Sequence, residues 1–285
     1  MVQQAYLAPG GNGRVLLLLA LLAFVTLQAA AQAAVRAEPV YRALGLPEII
    51  AIMRQEGIDY GLELEAELFP GRGGPRWAAL VETIYDLDRM ERTVLGRLDA
   101  ELETADLEPL LGFFGSDRGQ RIVQLEVSAR RAMLDQGVDD ASREALGRLI
   151  EAQDPRLDLI RAFADANALV ENNVVGAMNS NYAFYTGLAA GGAFPGEMTE
   201  EQILTDVWSQ EQAIRDDTEE WLYSYLVMAY RPLSDDDIKA YTAFSQTEPG
   251  AVINRALFAA FDEMFGALSL ALGRAAAGFI AGEEL

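Results

Sequence analysis

The chain has 285 residues, 51% of them hydrophobic, with no cysteine, no histidine and a formal charge of −22. Without those two residue types there can be no disulfide, no Ser-His-Asp or Cys-His nucleophile, no His- or Cys-ligated zinc and no carboxylate-histidine di-metal centre. So acidic a chain should also repel nucleic acid and anionic lipid headgroups.

Residues 1–14 are polar with one base, Arg14, and Val15 to Leu27 is almost unbroken apolar sequence. A run rich in small residues follows, with Ala31-Gln32-Ala33 as a cleavage signal, so residues 1–33 read as a secretory signal peptide. The apolar run is short of the ~20 residues a membrane span needs, so no span is expected after cleavage. The expected location is periplasmic or secreted.

Apolar residues at helical spacing continue along the chain. Ile49, Ile50, Met53, Tyr60, Leu64 and Leu68 form one stripe, broken by Phe69-Pro70-Gly71 and the glycines after it. Pro75 suits the first turn of a second helix carrying Trp77, Leu80, Val81 and Ile84. Asp86 caps a third, with Leu87, Met90, Val94 and Leu98 inward, and Thr104 or Asp106 caps a fourth. The helix beyond carries Ile122, Val123, Val127 and Met133; Gln136-Gly137 is expected to end it, and a polar helix to follow through Leu146, Leu149 and Ile150. Asp154-Pro155 opens a helix expected to run unbroken to about Ala190. Thr199 to Gln202 is a capping box, Trp221 to Met228 marks another helix, and Ser234 to Asp237 caps the next. A last helix runs from about Thr247 towards Ile280. No segment alternates as a strand would, so the fold class is all-α. Trp77, Trp208 and Trp221 are expected in the core.

One stretch occurs twice. Residues 106–125 align with 237–256, matching Phe113 to Phe244, Ser116 to Thr247 and Gly119 to Gly250. Each copy reads as helix, tight corner, helix, with the hydroxyl residue as N-cap and the glycine admitting a neighbouring helix closely. The same offset of 131 relates Trp77 to Trp208, while an offset of 125 relates Met53 to Met178, Tyr60 to Tyr185 and Phe69-Pro70-Gly71 to Phe194-Pro195-Gly196. Two divergent repeats of about five helices each are therefore expected, 40–152 and 155–285, packed as one compact or two-lobed bundle. A repeat this long is a duplicated domain rather than a solenoid unit. A site is then expected either in each half or at the pseudo-twofold between them.

The pattern F-x-x-[ST]-x-x-G, flanked by apolar runs, resembles the bacterial domain of unknown function DUF2059. That family usually has proline after the Ser; here Asp117 and Glu248 stand there. Glu-Leu-Phe-Pro-Gly at 67–71 and Asn-Tyr-Ala-Phe-Tyr at 181–185 look like its exported alphaproteobacterial members. The resemblance implies no activity, cofactor or catalytic residue.

Candidate chemistry is sparse. Glu63, Glu65, Glu67, the 216–220 acids and Asp235 to Asp237 read as solvated faces or helix starts, and no acid is expected in an apolar setting that would raise its pKa. Asp235 to Asp237 lacks the alternating spacing of a calcium loop, so neither metal nor cofactor is expected. Asn167, Asn172, Asn173, Asn179 and Asn181 are an excess of asparagine for a helix. They can satisfy backbone at helix crossings. Alternatively Asn173, Asn181, Tyr182 and Tyr185 line a pocket for a sugar or peptide. The reading is an exported helical protein, a non-catalytic binding or envelope-assembly component, whose partner is an envelope protein or a small polar ligand. A carboxylate-dependent hydrolase of envelope glycans and a chaperone-like holder of apolar ligands stand as alternatives, with the balance against an enzyme.

Overall fold

Caps and prolines decide where the helices begin. The computed structural model describes residues 35–282 apart from 195 and 197; the leader at 1–33 lies outside the described residues, as does Pro195 of the second Phe-Pro-Gly. Among the described residues there are thirteen helices and no strand: α1 Glu38–Ala43, α2 Leu46–Leu68, α3 Gly74–Ile84, α4 Leu87–Glu101, α5 Glu108–Phe114, α6 Asp117–Ala132, α7 Gln136–Glu151, α8 Pro155–Ala166, α9 Leu169–Ala190, α10 Glu200–Ser209, α11 Glu211–Tyr230, α12 Asp235–Ser245 and α13 Glu248–Ala281. Asp86 accepts from Arg89 N at the start of α4, and the boxes at Thr199 and Ser234 are both closed.

Two boundaries differ from expectation. The polar helix through Leu146, Leu149 and Ile150 is present, but Gln136-Gly137 belongs to its first turn and not to the end of the helix before, because the Asp135 carboxylate accepts from Gly137 N at 2.8 Å and Val138 N at 3.2 Å, an N-cap. The helix from Pro155 does not run unbroken to Ala190. It stops at Asn167, and Ala168 turns into the left-handed region at φ 48° before α9 begins. Asn167 holds that break: its Nδ2 donates to Phe163 O at 2.9 Å, and its own carbonyl accepts from Asn172 Nδ2 at 3.3 Å and Asn254 Nδ2 at 2.9 Å. Three of the chain's asparagines thus replace the backbone bonds that a chain leaving the helix gives up.

From Ala37 onward the helices pack around two that come late in the sequence. The 34-residue α13 lies along α9 and α4 and is also touched by α2, α3 and α5. Its composition and length would suit a membrane span, yet Leu268, Leu272, Ala276 and Ala277 on it are buried in the core. At its far end Phe279 stacks on Phe69 at 5.2 Å, and Trp77 closes the triad edge-on while its indole N–H donates to Gly61 O at 2.7 Å. The second organiser, α11, packs on α6 and α7. Helices from early in the chain therefore pack on late ones, α4 on α13 and α6 on α11. Trp208, expected in the core, is 65% exposed on α10. The reason is local: α10 packs mainly on α9 through Ile203 and Val207, which leaves Trp208 outward beside Leu204.

Candidate functional site

The two corners meet. Ser116 Oγ donates to Phe113 O at 2.6 Å and accepts from Gly119 N at 3.1 Å; Thr247 Oγ1 donates to Phe244 O at 2.6 Å and accepts from Gly250 N at 3.2 Å. A Cβ at Gly119 would overlap Phe113 O and stand 2.8 Å from Phe114 Cα, and one at Gly250 would overlap Phe244 O and stand 2.8 Å from Ser245 Cα. The close neighbour that each glycine admits is thus the helix just left behind. Phe113 and Phe244 then lie face to face, centroids 4.1 Å apart and planes 8° from parallel. Ser116→Ala and Thr247→Ala are each expected to cost about 1 kcal/mol in urea denaturation, with Thr247→Ser close to neutral.

Beside these rings lies a cavity of about 270 Å³, partly open to solvent, walled by α6 and α13 together with residues of α2, α8, α9, α11 and α12. On α6 it is walled by Val123, Glu126, Val127 and Arg130, at i, i+3, i+4 and i+7 of one helical face. On α13 it is walled by Asn254, Leu257, Phe258 and Phe261, each 131 residues after its counterpart. Three of these four positions hold a polar side chain on one helix and an apolar one on the other: Glu126 against Leu257, Asn254 against Val123, Arg130 against Phe261. Phe163, Trp221, Tyr225 and Tyr241 supply aromatic wall. A groove of about 550 Å³ adjoins the cavity and shares Met53, Arg130, Asn173, Trp221, Phe258 and Phe261 with it.

Glu126 is the unexpected group, and it corrects the expectation that no acid sits in apolar surroundings. Burial pushes its carboxyl up to about 7, against a smaller downward pull from the Tyr230 hydroxyl. That hydroxyl donates to Glu126 Oε1 at 2.6 Å, and Tyr225 OH donates to the Glu126 backbone carbonyl at 3.1 Å. No hydrogen bond to Oε2 is found among the described residues. Burial also drives the Tyr230 and Tyr241 hydroxyls upward, with the Glu126 charge adding to it, so both stay protonated. Arg130, one turn along α6, does not neutralise Glu126. It is held bidentate by Glu56, Nε to Oε1 at 3.0 Å and Nη2 to Oε2 at 2.7 Å, with its guanidinium 5.2 Å from the Trp221 ring centre. The signal for Glu126 was present in the sequence: it sits four residues after Ile122 and three after Val123, on the inward stripe of α6.

The structure disperses the four residues singled out as a pocket. Asn173 walls both the cavity and the groove, with Nδ2 donating to Leu169 O at 2.7 Å. Tyr182 OH donates to Glu200 Oε1 at 3.0 Å, a contact that raises the phenol. Tyr185 is part-buried, its ring edge-on to Phe184 at 6.1 Å, and Asn181 is half-buried on the same helix. Only Asn173 of the four lines the space beside Glu126. Asn172 and Asn179 line the groove, and Asn179 Nδ2 donates to Asp262 Oδ1 at 2.9 Å. No cluster of acids able to hold a metal ion occurs among the described residues.

Residues 88–146 match the family model described as "Uncharacterized protein conserved in bacteria (DUF2059)". The matched span runs from α4 through the first corner into α7 and includes Glu126; the second corner lies outside it. No curated protein and no solved structure matches the chain.

Proposed function

We propose that the chain is an exported, non-catalytic binding protein of the cell envelope, periplasmic or secreted, built from two divergent DUF2059-like repeats at 40–152 and 155–285, with its site between them. The observation that carries the site is the cavity between α6 and α13, where matched faces differ by the three polar-for-apolar exchanges. A pure packing interface between duplicated halves has no need of a half-buried carboxylate against apolar walls, since an aliphatic residue such as Leu257 fills the same position on the other side at lower desolvation cost. Support for the duplication lies in the paired caps, the paired glycine contacts and the reciprocal packing of α4 on α13 and α11 on α6. A glycosidase-like pair requires two convergent carboxylates. The cavity wall holds Glu126 alone, and Asp262 in the adjoining groove is exposed and already bonded by Asn179, which favours binding over hydrolysis.

A fragment screen by saturation-transfer NMR on the mature chain tests this. Hits are expected on the wild-type protein and should vanish in Leu257→Trp, designed to fill the cavity, once near-ultraviolet circular dichroism shows that variant folded. Hits that persist with the cavity filled, or a wild-type protein that binds nothing, would overturn the site. Export is checked separately by fractionating cells that express residues 1–285; the periplasmic or medium product is expected to begin at Ala34.

A further inference from the structure

Resting on that reading, we propose that the cavity between α6 and α13 takes a small organic cation, an ammonium group on an apolar body, with Glu126 as its counter-charge. The argument is an inventory of what the wall has left to offer. Its amide donors are spent on backbone: Asn167 Nδ2 on Phe163 O, Asn173 Nδ2 on Leu169 O, Asn254 Nδ2 on Asn167 O. Those bonds fix which way each amide is turned and leave the amide oxygens, which only accept. The phenols of Tyr225 and Tyr230 donate to Glu126 itself. Glu126 Oε2 adds a further acceptor, and the one hydroxyl in the wall without a protein hydrogen bond among the described residues is that of Tyr241.

Arg130, the one cation in the wall, is neutralised by Glu56, so the cavity's own charge is that of Glu126. Around it stand the rings of Phe163, Trp221, Tyr225, Tyr241, Phe258 and Phe261, and an aromatic ring attracts a desolvated cation placed over its face. An anion would meet acceptors and a carboxylate. A neutral alcohol could donate one hydrogen bond to those acceptors but would gain nothing from the charge. The cavity's size suits a six-carbon chain, and the acidic surface of the whole protein concentrates cations near it.

The experiment is isothermal titration of the mature wild-type protein at pH 8 with three isosteric probes, n-hexylamine, 1-hexanol and hexanoate. Hexylamine is expected to bind at least about tenfold more tightly than hexanol, with hexanoate weakest, and Glu126→Gln should erase the preference for the amine while the variant still binds hexanol. The amide that this substitution introduces keeps an acceptor for Tyr230, and near-ultraviolet circular dichroism like that of the wild type reports an intact fold. Hexanol or hexanoate binding as tightly as hexylamine, or an amine preference that survives Glu126→Gln, would overturn the cation assignment and leave the binding site standing. If none of the three probes binds, both the assignment and the site are overturned.

Discussion

Gly273→Ala is expected to lower the stability of the protein by about 3 kcal/mol, read as a shift of the urea midpoint at unchanged slope. Gly273 and Gly187 face one another where α13 crosses α9, the most extensively packed helix pair in the fold. A Cβ at Gly273 would overlap the carbonyl oxygen of Phe184 and stand 3.0 Å from Leu188 N; one at Gly187 would overlap Leu270 O and stand 2.9 Å from Arg274 N. Every one of those neighbours is backbone. No rotamer change relieves the clash, so two long helices must separate along their length and loosen the buried contacts of Leu188, Leu272 and Ala276. The control sits two turns earlier on the same helix. A Cβ at Gly266 meets nothing within 4 Å, so Gly266→Ala should raise stability by about 0.5–1 kcal/mol through helix propensity. One chemical change on one helix thus carries opposite signs. Equal effects at the two sites would show that the crossing is looser than its geometry.

Glu126→Gln should stabilise the protein at pH 8 and leave it unchanged at pH 4. Glu126 holds its proton in the folded chain up to about pH 7, whereas in the unfolded chain an ordinary glutamate loses it near 4.3. Between those values the folded state binds more protons than the unfolded one, so stability falls as pH rises through that window and the loss is complete above it. The full difference is on the order of 3 kcal/mol. The chain has no histidine, so no other side chain with an ordinary pKa titrates in the middle of that range. Repulsion among the many surface acids is common to both proteins and cancels in the comparison. Urea denaturation of wild type and Glu126→Gln at half-unit steps from pH 4 to 8 gives the test. A constant difference between them across the range would mean that Glu126 ionises normally and that the cavity is wet.

Glu171 and Asp237 carry the opposite sign, and the contrast marks what is particular about Glu126. Arg215 holds Glu171 below the usual carboxylate range, while Ser234 and Arg118 do the same for Asp237. Both acids sit at helix starts in contact with water. They behave as the sequence implied acids here would.

By itself the sequence determined the all-helical class, most of the helices, the caps at Asp86, Thr199 and Ser234 and both corners, because each rests on contacts within a few residues: a hydroxyl three positions before an amide, a proline in a first turn, an apolar stripe at period 3.6. It also marked the match between residues 106–125 and 237–256. Tertiary structure alone decided that Phe113 and Phe244 stack, that Trp77 is buried while Trp208 is exposed, and that the asparagines break a helix at Ala168 instead of gathering round Tyr182 and Tyr185. It also decided the environment of Glu126. A stripe position says that a side chain points inward, but whether it meets a partner, a wall or an empty space depends on helices remote in sequence, here α2, α8, α9, α11, α12 and α13. Desolvation is a sum over all those neighbours, and no local pattern contains it.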